Sequence, residues 1–259
     1  MSGPVRRHAL VTGAGRGIGA AIAHALAADG WTLTLAGRDS AALAATCAAL
    51  SHSGPGGHGW VSMDVTDAES VAKGVTEARA ARGAFAALVN NAGAVETAAF
   101  ARTDAALWRR MLEVNLTGAF TCTQAVLPDL VSAQDARIVN VASTAALKGY
   151  AYVSAYCAAK HGLLGLTRAL AQELASRGVT VNAVCPGYTD TDIVHHAIQN
   201  ITEKTGRSAE EARQSLVQGN PTGRLVQPVE VAEAVRWLCS PLAASVNGQA
   251  IAVCGGETN

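Results

Sequence analysis

Short apolar runs of four to six residues alternate along this chain with longer alanine-rich stretches of helical period. Residues 8–12 read as a strand and 17–29 as a helix, followed by a strand over 31–36 and a helix over 40–50. A glycine-rich turn at 54–59 leads into a third strand that ends near Met63, and a helix covers about 68–81. Strands at 85–90 and 137–142 flank one long helix over about 108–130. A helix over 156–177, a strand over 179–185 and a last strand over 249–253 complete the pattern. The stretch 190–225 is the least sheet-like: two helices are expected there, joined near Gly206, the second opened by a Ser208-x-x-Glu211 capping box. Strand–helix alternation of this kind implies an α/β fold, a Rossmann-type doubly wound parallel sheet of about seven strands with helices on both faces. No linker-like or repeated segment interrupts it, so residues 1–259 are expected to form a single domain, with 190–225 as a substrate lid.

The composition narrows the function classes. Of 259 residues, 49% are hydrophobic and only 15% charged, with a formal net charge of zero, which argues against nucleic acid or another polyanion as partner. The apolar run near the start is short and breaks into glycines, unlike a signal peptide, and no run reaches membrane-spanning length, so no membrane association is expected. Six scattered cysteines, at 47, 122, 157, 185, 239 and 254, form no C-x-x-C pair, which fits a reducing compartment and a cytoplasmic protein. Asp190, Asp192, His195 and His196 are too loosely spaced for a metal centre and read as a solvated helix start, so no metal is expected.

The first strand runs directly into Thr12, Gly13, Ala14, Gly15, Arg16, Gly17, Ile18 and Gly19, and a helix follows. Glycines let the backbone turn tightly and approach a pyrophosphate, and the helix start offers free N–H groups to it. The spacing is T-G-x-x-x-G-x-G. Asp64 and Val65 follow the third strand, Asn90, Asn91, Ala92 and Gly93 the fourth, Ser143 the fifth, and Pro186 and Gly187 the sixth, while Tyr156-x-x-x-Lys160 opens a helix. In this order, over nearly the whole chain, the motifs resemble those of the short-chain dehydrogenase/reductase family.

The resemblance implies an oxidoreductase that interconverts a ketone and a secondary alcohol with a nicotinamide cofactor. Tyr156 then serves as proton donor, and Lys160, one helical turn on, is expected to favour the phenolate and lower the phenol's pKa. Lys160 also matches the residue that holds the nicotinamide ribose. Ser143 is expected to donate a hydrogen bond to the substrate oxygen, and Asn115 resembles the asparagine that kinks a helix and holds a water in the proton relay. By the same resemblance Thr12, Gly13, Gly15, Arg16, Gly17, Ile18 and Gly19 cradle the cofactor. Asp64 and Val65 lie at its adenine, Asn91 and Gly93 beside its ribose, and Gly187 and Thr189 at the nicotinamide amide. Tyr150 and Tyr152 either line the substrate pocket or pack against it.

At the end of the second strand, where an acidic residue would bind a free ribose 2′-hydroxyl, the sequence has Ala36, Gly37 and Arg38. Arg38, with Arg16, favours NADP(H), each charge-assisted bond contributing about 1.5–3 kcal/mol. Asp39, one position later, keeps NAD(H) in play.

The segments 154–162, 181–187 and 253–256 look like bacterial ketoreductases of 3-oxoacyl or polyketide-type thioesters, which implies a keto or hydroxy substrate carried on coenzyme A or a carrier protein. Arg102, Arg109 and Arg110 would meet such a carrier or form an ordinary exposed helix face. The resemblance also implies a homotetramer, built through the small residues of the Tyr156 helix and through the apolar end 249–256. A catabolic NAD(P)-dependent dehydrogenase of a hydroxyacyl-CoA or other secondary alcohol is the alternative. A non-catalytic NADP sensor would not need the proton-donor set.

Overall fold

The computed structural model describes residues 7–51, 57–133 and 135–258; residues 1–6 and residues 54–56 of the 54–59 turn lie outside them. Among the described residues, seven strands form one parallel sheet: β1 (His8–Thr12), β2 (Thr32–Gly37), β3 (Gly59–Ser62), β4 (Ala87–Asn90), β5 (Ala136–Val141), β6 (Val179–Pro186) and β7 (Ala250–Val253). Their order is β3-β2-β1-β4-β5-β6-β7. The order reverses between β1 and β4, and a crevice opens outside the carboxyl ends of strands at such a switch point. Register places the motif-bearing ends together at that rim: Thr12 pairs with Ala36, Val11 with Val89, and Asn90 with Asn140.

Side-chain alternation decides the two faces. Ala9, Val11, Leu33, Leu35, Val89 and Val139 point to one face. There they meet Ile22 and Leu26 of α1 (Gly17–Ala28) and Val231, Val235 and Leu238 of α9 (Pro228–Leu238). Leu10, Leu88, Ile138 and Val181 point to the other. They meet Val71 and Val75 of α3 (Ala68–Arg82), Cys122 and Val126 of α5 (Gly118–Ser132) and Ala171 of α6 (Ser154–Leu174). Each large aliphatic side chain buried in this way contributes about 1.5–3 kcal/mol. The second crossover helix, α2 (Ser40–Ala49), is capped by Asp39, whose Oδ1 accepts from the Ala42 amide at 3.0 Å.

Two expectations need correction. The single helix over 108–130 is α4 (Ala105–Leu112) and α5, separated by a π-helical turn at Glu113–Thr117. Its cause is local: the Asn115 side-chain amide donates to the Met111 carbonyl at 3.0 Å, an acceptor that α-helical bonding would give to the backbone. The helix α9 was not anticipated, although Pro228 in its first turn and a Gln227–Glu230 capping box mark its start.

Between β6 and α9 the chain forms α7 (Asp192–Thr205) and α8 (Ala209–Val217). Gly206 ends α7 at φ +71°, and Ser208 and Glu211 complete the expected capping box. Val194, Val217 and Leu225 make a small core of their own with Tyr188, Ile198 and Leu216. The segment is fastened to β6 by backbone bonds from Val226 to the Tyr188 carbonyl and from Asp190 to the Val226 carbonyl, at 2.9 and 2.8 Å.

Candidate active site

At the switch point the glycine-rich loop leaves β1 under three steric constraints. A Cβ on Gly19 would lie 2.2 Å from the Gly13 carbonyl oxygen, and one on Gly13 would lie 2.9 Å from Cα of Ala92. Gly13 and Gly17 both adopt positive φ, which only glycine takes without strain. Thr12 and Asn91 brace the loop from below: Thr12 Oγ1 accepts from the amides of Asn91 and Ala92 at 3.0 Å, and Asn91 Nδ2 donates to the carbonyls of Thr12 and Gly13. Arg16, at the N-cap of α1, makes no side-chain bond to the first-turn amides, so these donors face the crevice. A bare cradle and a helix start without a side-chain cap fit the pyrophosphate of a dinucleotide.

Gly15 packs against Ala42 and belongs to the same loop. The side chains of Ile18 and Val65 pack into the two core faces, leaving their backbones at the crevice. Asp64 Oδ1 accepts from the Thr66 amide and hydroxyl at 3.0 and 2.8 Å. The amide bond is the main cause holding its carboxyl below the usual range, and Arg38, at 4.0 Å, adds to it. Arg38 and Arg16 are both exposed, and Arg16 lies 3.8 Å from Asp192 at the start of α7. Asp39 is engaged as the α2 cap, which leaves Arg38 as the cation at the end of β2.

On the β4–β6 side, Asn115 is buried and donates to the Ala94 carbonyl at 2.8 Å while accepting from the Ala94 amide. A methyl at Gly93 would fall 2.8 Å from Asn115 Oδ1 and 3.6 Å from Lys160 Nζ, so a side chain there would crowd both polar groups. Lys160 is 4% exposed, and its Nζ donates to the Val141 carbonyl at 2.9 Å. The ammonium lies 5.7 Å from the Tyr156 ring centroid. Ser143 directly follows β5 by two residues; its Oγ accepts from the Ala145 amide at 3.1 Å and keeps its own proton to give.

The expectation that Lys160 lowers the Tyr156 pKa is corrected. Burial pushes the phenol up to about 12, with the Ser143 hydrogen bond acting against it, and burial brings Lys160 down to about 8. Burial is the dominant cause of the rise, and the Lys160 ammonium is bonded to the Val141 carbonyl.

Gly187 follows β6 in close contact with Cys254 and Glu257, and the buried Thr189 hydroxyl donates to the Gly187 carbonyl at 3.0 Å. Tyr150 and Tyr152 separate clearly. The Tyr150 hydroxyl is held between Thr144 and Glu257, whereas Tyr152 is 67% exposed, with φ +67° and its carbonyl accepting from Ala98. His195 pairs with Asp190 and His196 with Gln199, two separate contacts. Arg110 is bound to Glu96 through two bonds, leaving Arg102 and Arg109 as the exposed cations of that region. The partnership of Lys148, Tyr150 and Glu257 was missed: a lone acid near the chain end carries no spacing signal.

The family model described as short chain dehydrogenase matches residues 7–202. A protein of Streptomyces virginiae assigned as ketoacyl reductase of the monensin polyketide synthase is 40% identical over the full length of both chains. The cis-4-hydroxycyclohexanecarboxylate dehydrogenase of Sinomonas cyclohexanicum is also 40% identical, over 97% of this chain and 96% of the relative. Among solved structures, an actinorhodin polyketide ketoreductase variant with NADPH superposes with a TM-score of 0.92 at 37% identity, covering both chains completely.

Proposed function

The chain belongs to the short-chain dehydrogenase family, and on that premise we propose that it reduces a ketone to a secondary alcohol with NADPH, the ketone being a 3-oxoacyl thioester or polyketide-type substrate. One observation carries the reading: a phenol kept protonated at the sheet rim, beside the Ser143 hydroxyl and a buried ammonium with donors to spare. Similarity to an NADPH-bound ketoreductase and to a ketoacyl reductase supports the choice of cofactor and substrate class.

When bound, the cofactor supplies the hydride. The loop of Thr12, Gly13, Gly15, Arg16, Gly17, Ile18 and Gly19 would hold its pyrophosphate, and Arg38 with Arg16 would meet a 2′-phosphate. Asp64, Val65, Asn91 and Gly93 would border its adenosine half, Gly187 and Thr189 its amide. Lys160 uses one of its three N–H donors on Val141, and the others suit the ribose hydroxyls. Ser143 donates to the ketone oxygen and holds it facing Tyr156. As negative charge develops there, the oxygen becomes a stronger base than phenolate, so Tyr156 gives up its proton even from a pKa of about 12. The Lys160 ammonium then stabilises the phenolate left behind. Asn115 keeps the Gly93–Ala94 backbone in place below these groups.

The segment 190–225 acts as a lid over this single domain, its start already touching the glycine-rich loop through Arg16–Asp192 and Gly17–Thr191. The small apolar core of that lid suits a mid-sized, partly apolar ketone. A homotetramer is supported by exposed Trp108 and Phe120 on α4 and α5, by exposed Trp237 and Leu242, and by β7 at the open sheet edge. Six free cysteines support a reducing, cytoplasmic setting, and no described helix is long and apolar enough to cross a membrane. The second reading, oxidation of a secondary alcohol with NAD(P), is favoured by the equal identity to a hydroxy-acid dehydrogenase.

A panel of ketones and alcohols, assayed by nicotinamide absorbance with both cofactors, tests the proposal. Ketone turnover with NADPH faster than with NADH is expected; alcohol oxidation with NAD as the fastest reaction would replace it with the second reading.

A further inference from the structure

The C-terminal turn carries a carboxylate that the chemistry above does not use. Glu257 has a side chain only 4% exposed. Its Oε1 accepts the Tyr150 hydroxyl at 2.5 Å and lies 3.1 Å from Lys148 Nζ, which also donates to the Glu257 carbonyl at 3.3 Å. A phenol has one proton and a carboxylate can only accept, so that proton belongs to Glu257. The 2.7 Å contact between Tyr150 and Thr144 is then made by the Thr144 hydroxyl as donor. A directed chain results, from Thr144 through Tyr150 to Glu257, closed by the Lys148 ammonium, and its first member is the residue next to Ser143.

The other side of the same turn meets the loop after β6 and the exit of the lid. A Cβ at Gly187 would stand 3.1 Å from Glu257 Oε2, and one at Gly219 would stand 3.6 Å from Glu257 Cγ. Gly255, at φ +63°, comes so close to the lid that a Cβ would fall 2.1 Å from Asn220 Oδ1. The turn therefore touches three walls of the site at once. A carboxylate is costly to bury unless it is paired and hydrogen-bonded, and a turn that only had to pack would be served by an apolar side chain.

We propose that Glu257 is a positioning residue: through Tyr150 and Lys148 it latches the turn 254–258 onto the loop bearing Ser143, and this latch fixes the wall against which the ketone is held. The proposal rests on the reading of Ser143 and Tyr156 given above. It requires that loosening the latch should spoil placement of the ketone more than binding of the cofactor.

The test uses the full-length protein and four variants: Glu257→Ala, Glu257→Gln, Tyr150→Phe and the Glu257→Ala/Tyr150→Phe double. KM and kcat are measured with acetoacetyl-CoA and NADPH, NADPH Kd by fluorescence, and amide exchange over 254–258. In Glu257→Ala the KM for acetoacetyl-CoA should rise about tenfold or more, because small misplacements near reacting groups are costly. Its NADPH Kd should stay within about twofold, and exchange over 254–258 should quicken. Glu257→Gln still accepts the Tyr150 proton and should recover part of the loss. The double variant should be no worse than Glu257→Ala alone, as expected when both residues serve one interaction. An unchanged KM in Glu257→Ala, or a cofactor Kd that weakens in step with KM, overturns the proposal. Unchanged exchange over 254–258 overturns the latch itself, and does so whether or not acetoacetyl-CoA is a substrate. A wild type inactive on every ketone of the panel sinks the reading of Tyr156 instead.

Discussion

The two ends of β5 each hold a buried cation, and they are treated differently. At the start of the strand Arg137 is 1% exposed; it pairs with Asp135 at 2.5 Å and donates to the carbonyls of Ala136 and Ser240. At the other end Lys160 is 4% exposed and donates only to the Val141 carbonyl, and no ion pair among the described residues includes it. A cation that ties strand ends together has been given a carboxylate. One left without a carboxylate and with spare donors has its pKa drawn down by burial to about 8. The difference lies in the ion pair: the cation at the start of the strand has a carboxylate, and the one at the carboxyl rim is bonded to a backbone carbonyl.

Exchanging the two cations for apolar groups would break the comparison most sharply. Lys160→Met should lower turnover by a factor of about 10²–10⁴ and weaken NADPH binding, with stability held or raised because an unpaired buried charge is removed. Arg137→Met should do the reverse, costing about 1–3 kcal/mol of stability for each carbonyl left without a donor, with kcat of the folded enzyme preserved. Kinetics and urea midpoints on the two variants distinguish these outcomes. Equal destabilisation with turnover retained in Lys160→Met would erase the distinction.

Acid sharpens the same contrast more gently. His8, at the opposite end of the sheet from the site, is 1% exposed, bonded to the Gly83 carbonyl and Thr34 Oγ1 at 2.9 Å and stacked on Phe85. Burial lowers its pKa to about 4. The unfolded chain takes up that proton near pH 6.5 and the folded chain only near 4, so stability is full above 6.5 and falls as pH drops through this window. The loss is about 3 kcal/mol at most. Urea midpoints at pH 7 and 4.5 should show it, and His8→Leu should flatten the slope. At the upper rim, Lys160 must be an ammonium to stabilise the phenolate, so kcat/KM for reduction should decline above about pH 8 in a pH–rate profile.

What the sequence disclosed follows from how far apart the partners are. Residues 12–19 and Tyr156–Lys160 are read from local spacing, because a tight turn and one helical turn are fixed by neighbouring residues alone. The parallel sheet covered on both faces follows from the strand–helix alternation, and neighbours such as Leu10 and Val11 do enter opposite cores. The break at 113–117 was hidden because it depends on one amide competing with the backbone, a contest that periodicity does not register. Helix α9 was legible in Pro228 and Glu230 but was passed over. The Tyr156 pKa was misjudged because spacing reveals the charge one turn away and not the depth of burial. The bond between Glu257 and Tyr150 spans 107 residues, beyond any local signal.

The central claim, that the phenol of Tyr156 delivers the proton to the reduced ketone, is tested most directly by comparing wild type with Tyr156→Phe. NADPH oxidation by acetoacetyl-CoA is followed while NADPH binding is measured by fluorescence on the same samples. The account predicts a loss of turnover of about 10²–10⁴-fold with cofactor affinity unchanged. Turnover near the wild-type rate in Tyr156→Phe would contradict it.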